Sequence, residues 1–362
     1  RPGPRKRCPR KPEINSASFN YPVRIFLYEF MTAGGCLGLQ QDLGSHASWY
    51  REGLAMLRAV AADFLSLADC QVLLMRDHRI PAERFPTDSR AVATPDDELR
   101  LLRTLAATAD YSLLIGPEMG SLLLDRVRIC EAAGAKLLSP RSPFVAVASH
   151  KGDTADRLRE AGVPVPPAVE WSSSRPFPLD FPYPAVLKPL DGVGSEDTFL
   201  IDGPEVSSQP FRSRPTWRLE RFCPGMPASI AAIAGASSVV WLPACEQSIS
   251  SDGRFAYRGG RVLSDERLHE RARRLAGPAL SAMPPANGFV GIDLILGRAI
   301  SGQDDFVIEV NPRLTTSYVG LRKWLATNLA EAMLSMVQGR SVELLSGSRE
   351  VEFDANGEVS CR

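Results

Sequence analysis

Three oxygen-bearing side chains stand close together late in this 362-residue chain. Glu309 and Asn311 lie two residues apart in the apolar run Phe306-Val307-Ile308-Glu309-Val310-Asn311-Pro312-Arg313. Alternate side chains of a strand share a face, so the carboxylate and the amide point the same way. Pro312 cannot donate to a ladder and ends the strand, leaving Arg313 at its mouth. Upstream, Gly288-Phe289-Val290-Gly291-Ile292-Asp293-Leu294-Ile295-Leu296 is a second apolar run carrying one acid, Asp293. Two neighbouring strands would aim Asp293, Glu309 and Asn311 at one point. Such oxygen donors suit a hard cation, Mg²⁺ with phosphate. The alternative is an ordinary hairpin whose polar residues face water.

Two lysines could serve the same phosphate chemistry. Pro184-Ala185-Val186-Leu187-Lys188-Pro189 reads as a short strand with a lysine at its end, followed by Leu190, Asp191, Gly192, Val193, Gly194, Ser195 and Glu196. Small residues let backbone N–H groups approach oxygen, and an ammonium neutralises its charge. The lysine precedes the glycines here, so this is not the G-x-x-x-x-G-K-[ST] loop; a surface hairpin is the competing reading. Lys151 follows Ser149 and His150 near a helix start, where a cation is out of place unless a phosphate is near. A solvated lysine is the plain alternative, and His150 reads as structural.

These groups need elements to hold them. Val23 to Phe30, Cys70 to Met75, Tyr111 to Ile115 and Lys136 to Leu138 read as strands. They alternate with helical patterns at about 48–67, 95–107 and 120–133, which predicts a parallel sheet with ligands beyond its carboxyl edge. Glu29, Gly34 and Gly35, at the end of the first strand and in the glycine loop after it, are candidates for substrate contact; a tight turn explains the glycines equally well. Trp217 to Phe222 reads as a strand running into Cys223-Pro224-Gly225, and antiparallel strands follow at 229–233, 238–242 and 245–249. A basic helix is expected over 265–277. Tyr318 to Gln338 reads as one helix with Leu321, Leu325, Leu329 and Met333 on a core-facing stripe.

Composition bounds the function. Hydrophobic content of 44% and charged content of 23% are ordinary for a soluble globular protein. No apolar run approaches the ~20 residues of a membrane span. The 42 basic and 42 acidic residues balance, but six basic residues lie in the first twelve positions, leaving 36 basic against 42 acidic elsewhere. The body is therefore mildly acidic and no nucleic-acid surface is expected; no membrane partner is expected either. Residues 1–20 read as a disordered basic arm. The seven scattered cysteines, with no C-x-x-C pair, imply reduced thiols and a cytoplasmic location.

The ordered set of motifs is what narrows the reading: Lys151 after a helix-entry serine, Lys188 with its glycine loop, Leu219-Glu220-Arg221-Phe222-x-Pro-Gly, Gly291-Ile292-Asp293 and Ile308-Glu309-Val310-Asn311-Pro312-Arg313. Over about 140–335 this resembles the ATP-grasp superfamily of ligases. The opening Ile25-Phe-Leu-Tyr-Glu-Phe-Met-Thr-Ala-Gly-Gly35 and Lys188-Pro-Leu-Asp-Gly-Val-Gly-Ser-Glu196 look like the group containing the tyramine–L-glutamate ligase of methanofuran biosynthesis. The implied fold is mixed α/β and α+β: an amino-terminal parallel domain (21–140), a small grasp lobe (141–216), a large lobe with the Mg²⁺ site (217–340) and a tail (341–362).

The resemblance also implies roles. Lys151 and Lys188 would contact ATP phosphates, under a closing loop of Asp191, Gly192, Val193, Gly194 and Ser195. Glu220, Arg221 and Phe222 would form the adenine hinge, largely through backbone groups. Asp293, Glu309 and Asn311 would hold Mg²⁺, with Mn²⁺ an admissible substitute, and Arg313 would hold the acyl substrate or the transferred phosphoryl group. The implied partners are a small-molecule acid and an amine, joined as an amide at the expense of ATP; a homodimer is the assembly left open. Asp197 stands where many grasp loops carry another glycine, and Gly225 to Ser229 lack the acid often set against the ribose. Two other classes compete: a nucleotide-binding regulatory module without turnover, and a nicotinamide-dependent oxidoreductase, which lacks its G-x-G-x-x-G fingerprint.

Overall fold

The structure is a computed structural model that describes residues 22–39, 47–192, 197–347 and 350–362. The basic arm and the loop residues Val193, Gly194 and Ser195 lie outside the described residues.

The amino-terminal unit is a four-stranded parallel sheet of β1 (Val23–Glu29), β2 (Cys70–Asp77), β3 (Ser89–Val92) and β4 (Tyr111–Ile115), in the order β3-β2-β1-β4. Along β1, Ile25 and Leu27 face one apolar cluster and Phe26 and Tyr28 the other. Burial on both faces is why this strand reads as a nearly continuous apolar run. Helix α1 (Ala47–Leu65) covers one face; α2 (Pro95–Thr108) and α3 (Leu122–Ala132) cover the other. Thr94 caps α2 by accepting from the Asp97 N–H, and three acids fill its first turn. The sequence expectation of a strand at 136–138 reduces to one parallel bridge, Ser112 to Leu137. Strand β3, too short and polar to show alternation, has no counterpart in the sequence reading.

Helices α4 (Ser142–Ala148) and α5 (Lys151–Glu160) lead into a small antiparallel sheet of β5 (Ala168–Ser172), β6 (Ala185–Lys188), β7 (Phe199–Ile201) and β8 (Thr216–Arg221), in the order β5-β8-β6-β7. Its core is aromatic, with Trp171 stacked on Phe177 and Phe211 edge-on to Trp217. Two expected lobe boundaries shift. β8, expected at the start of the large lobe, pairs with β5 and β6 and belongs to the small sheet. Phe144, Ala148 and Leu158 of α4 and α5, expected in the small lobe, pack against the large one.

The large sheet contains β9 (Met226–Ala234), β10 (Val239–Trp241), β11 (Cys245–Ile249), β12 (Tyr257–Val262), β13 (Gly288–Leu296) and β14 (Phe306–Asn311). Between them, α6 (Glu266–Ala282) runs through Pro278, past its expected end at 277. The expected helix over 318–338 is two: α7 (Ser317–Trp324) and α8 (Leu329–Val337). Leu325 turns extended and bridges to Ser346, while the Asn328 side chain accepts from the Ala330 and Glu331 N–H groups and starts a new helix. The apolar stripe stays buried across the break, so its period alone could not show it. The chain end is no separate tail: β15 (Val351–Asp354) pairs onto β12 and β16 (Val359–Cys361) onto β15, extending the sheet. Among the described residues, no helix is long and apolar enough to cross a membrane.

The amino-terminal unit docks on the large lobe through α1 against α7 and α8. Buried Asp63 anchors this contact. It accepts from Tyr318 Oη at 2.7 Å and from Arg322 Nε at 2.9 Å, and Asn328 Nδ2 donates to its carbonyl oxygen. Asp63→Ala would leave a phenol and a guanidinium without their acceptor. A loss of about 2–4 kcal/mol is expected, read as a lower denaturant midpoint with an unchanged slope. A loss below about 0.5 kcal/mol would mean the anchor is dispensable.

Candidate functional site

β13 and β14 are adjacent and antiparallel, with Asp293 directly opposite Glu309 and Gly291 opposite Asn311. Beyond Asp293 the register slips: Leu294 faces Val307, leaving Ile308 as an extra residue. A bulge of this kind re-aims neighbouring side chains. Asn311 Nδ2 donates to Asp293 Oδ2 at 3.0 Å, and Gln247 Nε2 of β11 donates to Asp293 Oδ1 at 2.8 Å. Burial, reinforced by the Glu309 charge, pushes the Asp293 carboxyl up to about 6, against the pull of the two amides. Three oxygen-bearing groups thus converge, as their strand spacing implies. Among the described residues, no three His, Cys, Asp or Glu side chains cluster as a metal site. A third oxygen is available from Asn311, whose Nδ2 makes the bond to Asp293 and leaves Oδ1 for a cation. Two carboxylates and an amide oxygen fit Mg²⁺.

Lys151 opens α5, whose cap is the His150 imidazole accepting from the Asp153 N–H. Its ammonium pairs with Glu309 and donates to the Gly192 carbonyl at 3.1 Å. Burial lowers its pKa, but the Glu309 charge and hydrogen bond outweigh burial, so the lysine is held above its usual range. A cation beside Glu309 shows that this corner attracts positive charge. Arg313, just past β14, donates from Nε to Glu118 Oε1 at 2.8 Å.

Lys188 ends β6 opposite Arg218 of β8. Lys188 Nζ lies 2.7 Å from Glu220 Oε2, and Arg218 Nε donates to the other Glu220 oxygen. The three residues are only 6%, 4% and 5% exposed for Lys188, Arg218 and Glu220. Burial raises the Glu220 carboxyl, but the two cations overcome it and hold it below the usual carboxylate range. The hinge differs in detail from expectation. The Arg221 N–H donates to Pro167 and the Phe222 N–H to Pro184, so neither is spare for a base. Glu220, Arg221, Phe222 and the next residue, Cys223, all line the cleft.

That cleft is one cavity of 580 Å³ between the two lobes and the amino-terminal unit, within the ~300–1,000 Å³ range of ligand sites. It brings together Lys151, Lys188, Gly192, Asp293, Glu309, Asn311, Arg313 and Glu29. Glu29 is buried, its carboxylate accepting from the Met31 and Thr32 N–H groups, and burial pushes it up to about 7. Gly53 of α1 makes room for it: a Cβ there would fall 2.4 Å from Glu29 Oε1. Gly34 and Gly35 are not among the lining residues. Gly34 has φ +99° and makes the turn, and a side chain on Gly35 would strike the Phe30 ring, so these glycines serve the backbone. Asp191 also lies off the lining; its carboxylate accepts from the Gly120 N–H at 3.0 Å and ties the loop to the amino-terminal unit.

The sequence reading missed Gln247, Glu118 and Arg218. Glu118 follows the carboxyl end of β4, the edge where parallel sheets present ligand-binding groups, so that rule could have found it. Gln247 and Arg218 carry no local signal; their neighbours come from distant strands.

Comparisons with known proteins agree with this geometry. The model of an ATP-grasp domain matches residues 148–317, and that of a pre ATP-grasp 3 domain matches 70–145. The tyramine–L-glutamate ligase of Methanocaldococcus fervens is 25% identical over 314 residues, 86% of this chain and 92% of that one. Its counterpart from Methanocaldococcus jannaschii is 24% identical, covering 85% and 87%. The crystal structure of an ATP-grasp superfamily protein from Archaeoglobus fulgidus superposes with a TM-score of 0.68 at 23% identity, covering 92% of each chain. An L-amino acid ligase from Bacillus licheniformis gives 0.67 at 15% identity, covering 93% of this chain and 80% of that one. The structural likenesses speak for the fold, and the two domain matches identify residues 148–317 as an ATP-grasp domain preceded by a pre ATP-grasp domain over 70–145.

Proposed function

We propose that this chain is an ATP-dependent carbon–nitrogen ligase that activates a carboxylate as an acyl phosphate, releases ADP and joins the acyl group to an amine. The carrying observation is that Lys151, Lys188, Arg313 and the Asp293–Glu309–Asn311 oxygens all open onto one cavity. The substrates we assign are L-glutamate and a tyramine-like amine, by analogy with the two relatives from Methanocaldococcus, and the scattered free cysteines support a cytoplasmic location.

The residues divide the work. A substrate carboxylate oxygen attacks the γ-phosphorus of ATP, and the bond from that phosphorus to the β–γ bridging oxygen breaks. Divalent metal held by Asp293, Glu309 and Asn311 supplies charge neutralisation when bound. Lys151 and Lys188 place two further positive charges in the same cavity, fixed in advance by Glu309 and Glu220. The amine, after giving up a proton to solvent, attacks the acyl carbon; the bond from that carbon to the phosphate oxygen breaks, inorganic phosphate leaves, and the nitrogen loses its second proton to give the amide.

The test is ADP release over amino acids crossed with amines, beginning with L-glutamate and tyramine, with the product identified by mass spectrometry. ADP, phosphate and amide are expected in equal amounts, each requiring acid and amine together for sustained turnover. Tight ATP binding with no ADP from any pair would instead identify a regulatory nucleotide-binding module.

A further inference from the structure

The cavity has two ends. Lys188, Phe222, Leu200 and Phe255 border it at the small lobe, while Glu29, Trp49, Glu52 and Met56 border it at the amino-terminal unit. The mechanism above uses nothing on α1, yet Glu52 of α1 lines the cavity with a carboxylate.

We infer that Glu52 is the seat of a substrate ammonium group, carried on an apolar body that rests against Met56 and Tyr257. This rests on the ligase reading and deepens it.

The charges at this end force the choice. Arg313 already pairs with Glu118. Glu29 spends both carboxylate oxygens on backbone N–H groups. Among the described residues, Glu52 makes no hydrogen bond and no ion pair. A carboxylate turned into a largely apolar recess without a partner is costly unless a ligand supplies one. Burial accordingly pushes its carboxyl up to about 7, with the Arg313 and Arg51 charges only partly offsetting it. An ammonium seated beside it would restore the charged form.

Position agrees with charge. Tyr257 of β12 lies within electrostatic reach of both Glu52 and Asp293. Glu52, Tyr257 and Asp293 thus line one stretch of the same cavity. Gly53, next to it, carries no side chain, which keeps this stretch of α1 close to Glu29 and the cavity wall. Met56 is buried and Tyr257 half-buried. Together they offer a thioether and an aromatic ring to an apolar body, and an aromatic face favours an adjacent cation.

An ammonium could arrive on either substrate: as the amine nucleophile before it loses a proton, or as the α-amino group of an amino acid. Calorimetric titration with Mg²⁺ and ADP present separates them. One arm compares tyramine with 4-ethylphenol; the other compares L-glutamate with glutarate. Each ligand is titrated into the wild type and Glu52→Gln. The wild type is expected to prefer the ammonium-bearing member of one pair at least tenfold. Glu52→Gln should abolish that preference while the nitrogen-free ligand binds unchanged. The pair affected identifies the substrate. Glu52→Asp, which keeps the charge, should retain part of the preference. Thermal melting of Glu52→Gln should match or exceed the wild type, since no protein partner is lost. The absence of any ammonium preference in the wild type, or equal preference in the wild type and Glu52→Gln, overturns the assignment. ADP release by the wild type with any acid–amine pair would uphold the ligase reading whatever Glu52 does, so the two stand or fall separately.

Discussion

Glu309→Gln is expected to lower the rate of ADP release by roughly 10³-fold, with the protein still folded. Glu309 faces Asp293 across the strand pair and also pairs with Lys151. The substitution removes one of two carboxylates from the oxygen cluster and the charged partner of Lys151 in one step. The amide is isosteric, so the β13–β14 register and the Ile308 bulge should persist. Stability should fall modestly, because Lys151 keeps its bond to the Gly192 carbonyl. Single-turnover ADP release in saturating ATP and Mg²⁺ is the measurement, with circular dichroism as the check on folding. Activity within tenfold of the wild type would remove Glu309 from the centre of the chemistry. A Mg²⁺ titration sharpens the result: the variant should need more metal for its residual rate, which a purely structural role would not produce.

Lys188→Ala should act on two properties at once. Lys188 and Arg218 flank Glu220 in a nearly dry site. Removing one partner of a buried ion pair typically costs ~3–5 kcal/mol. Arg218 still holds Glu220 here, so a stability loss of about 2–3 kcal/mol is expected. If Lys188 contacts the nucleotide as proposed, loss of its ammonium should also lower kcat/KM for ATP by roughly 10²-fold. The companion Glu220→Gln separates the effects. If Glu220 serves chiefly to hold the two cations, the double variant should be more stable than the sum of the single losses predicts, while ATP affinity stays impaired. An unchanged kcat/KM for ATP in Lys188→Ala would take the lysine out of nucleotide binding.

Much of this architecture is legible in the sequence. The spacing Glu309-x-Asn311 puts both side chains on one strand face because the side-chain period of a strand is two. The parallel amino-terminal sheet is legible in the alternation of strand and helix patterns from Val23 to Leu138, because a parallel pair needs a crossover between its strands. The break between α7 and α8 was not legible. Leu321, Leu325, Leu329 and Met333 are all buried on either side of it, and helical periodicity reports burial before continuity. The placement of β15 and β16 was equally hidden, since short mixed strands take their identity from β12, about ninety residues earlier.

The sequence by itself determined which chemistry is available: two acids, an amide and two lysines at spacings that suit a triphosphate and its metal. Only the tertiary structure decided their partners. It set Lys151 on Glu309, shared Glu220 between Lys188 and Arg218, matched Arg313 with Glu118, and left Glu52 unmatched in the same cavity. The reason is range. Strand and helix periods act over a few residues and settle which way a side chain points, whereas ion pairing depends on distance in space, and these pairs join residues as far apart as 118 and 313.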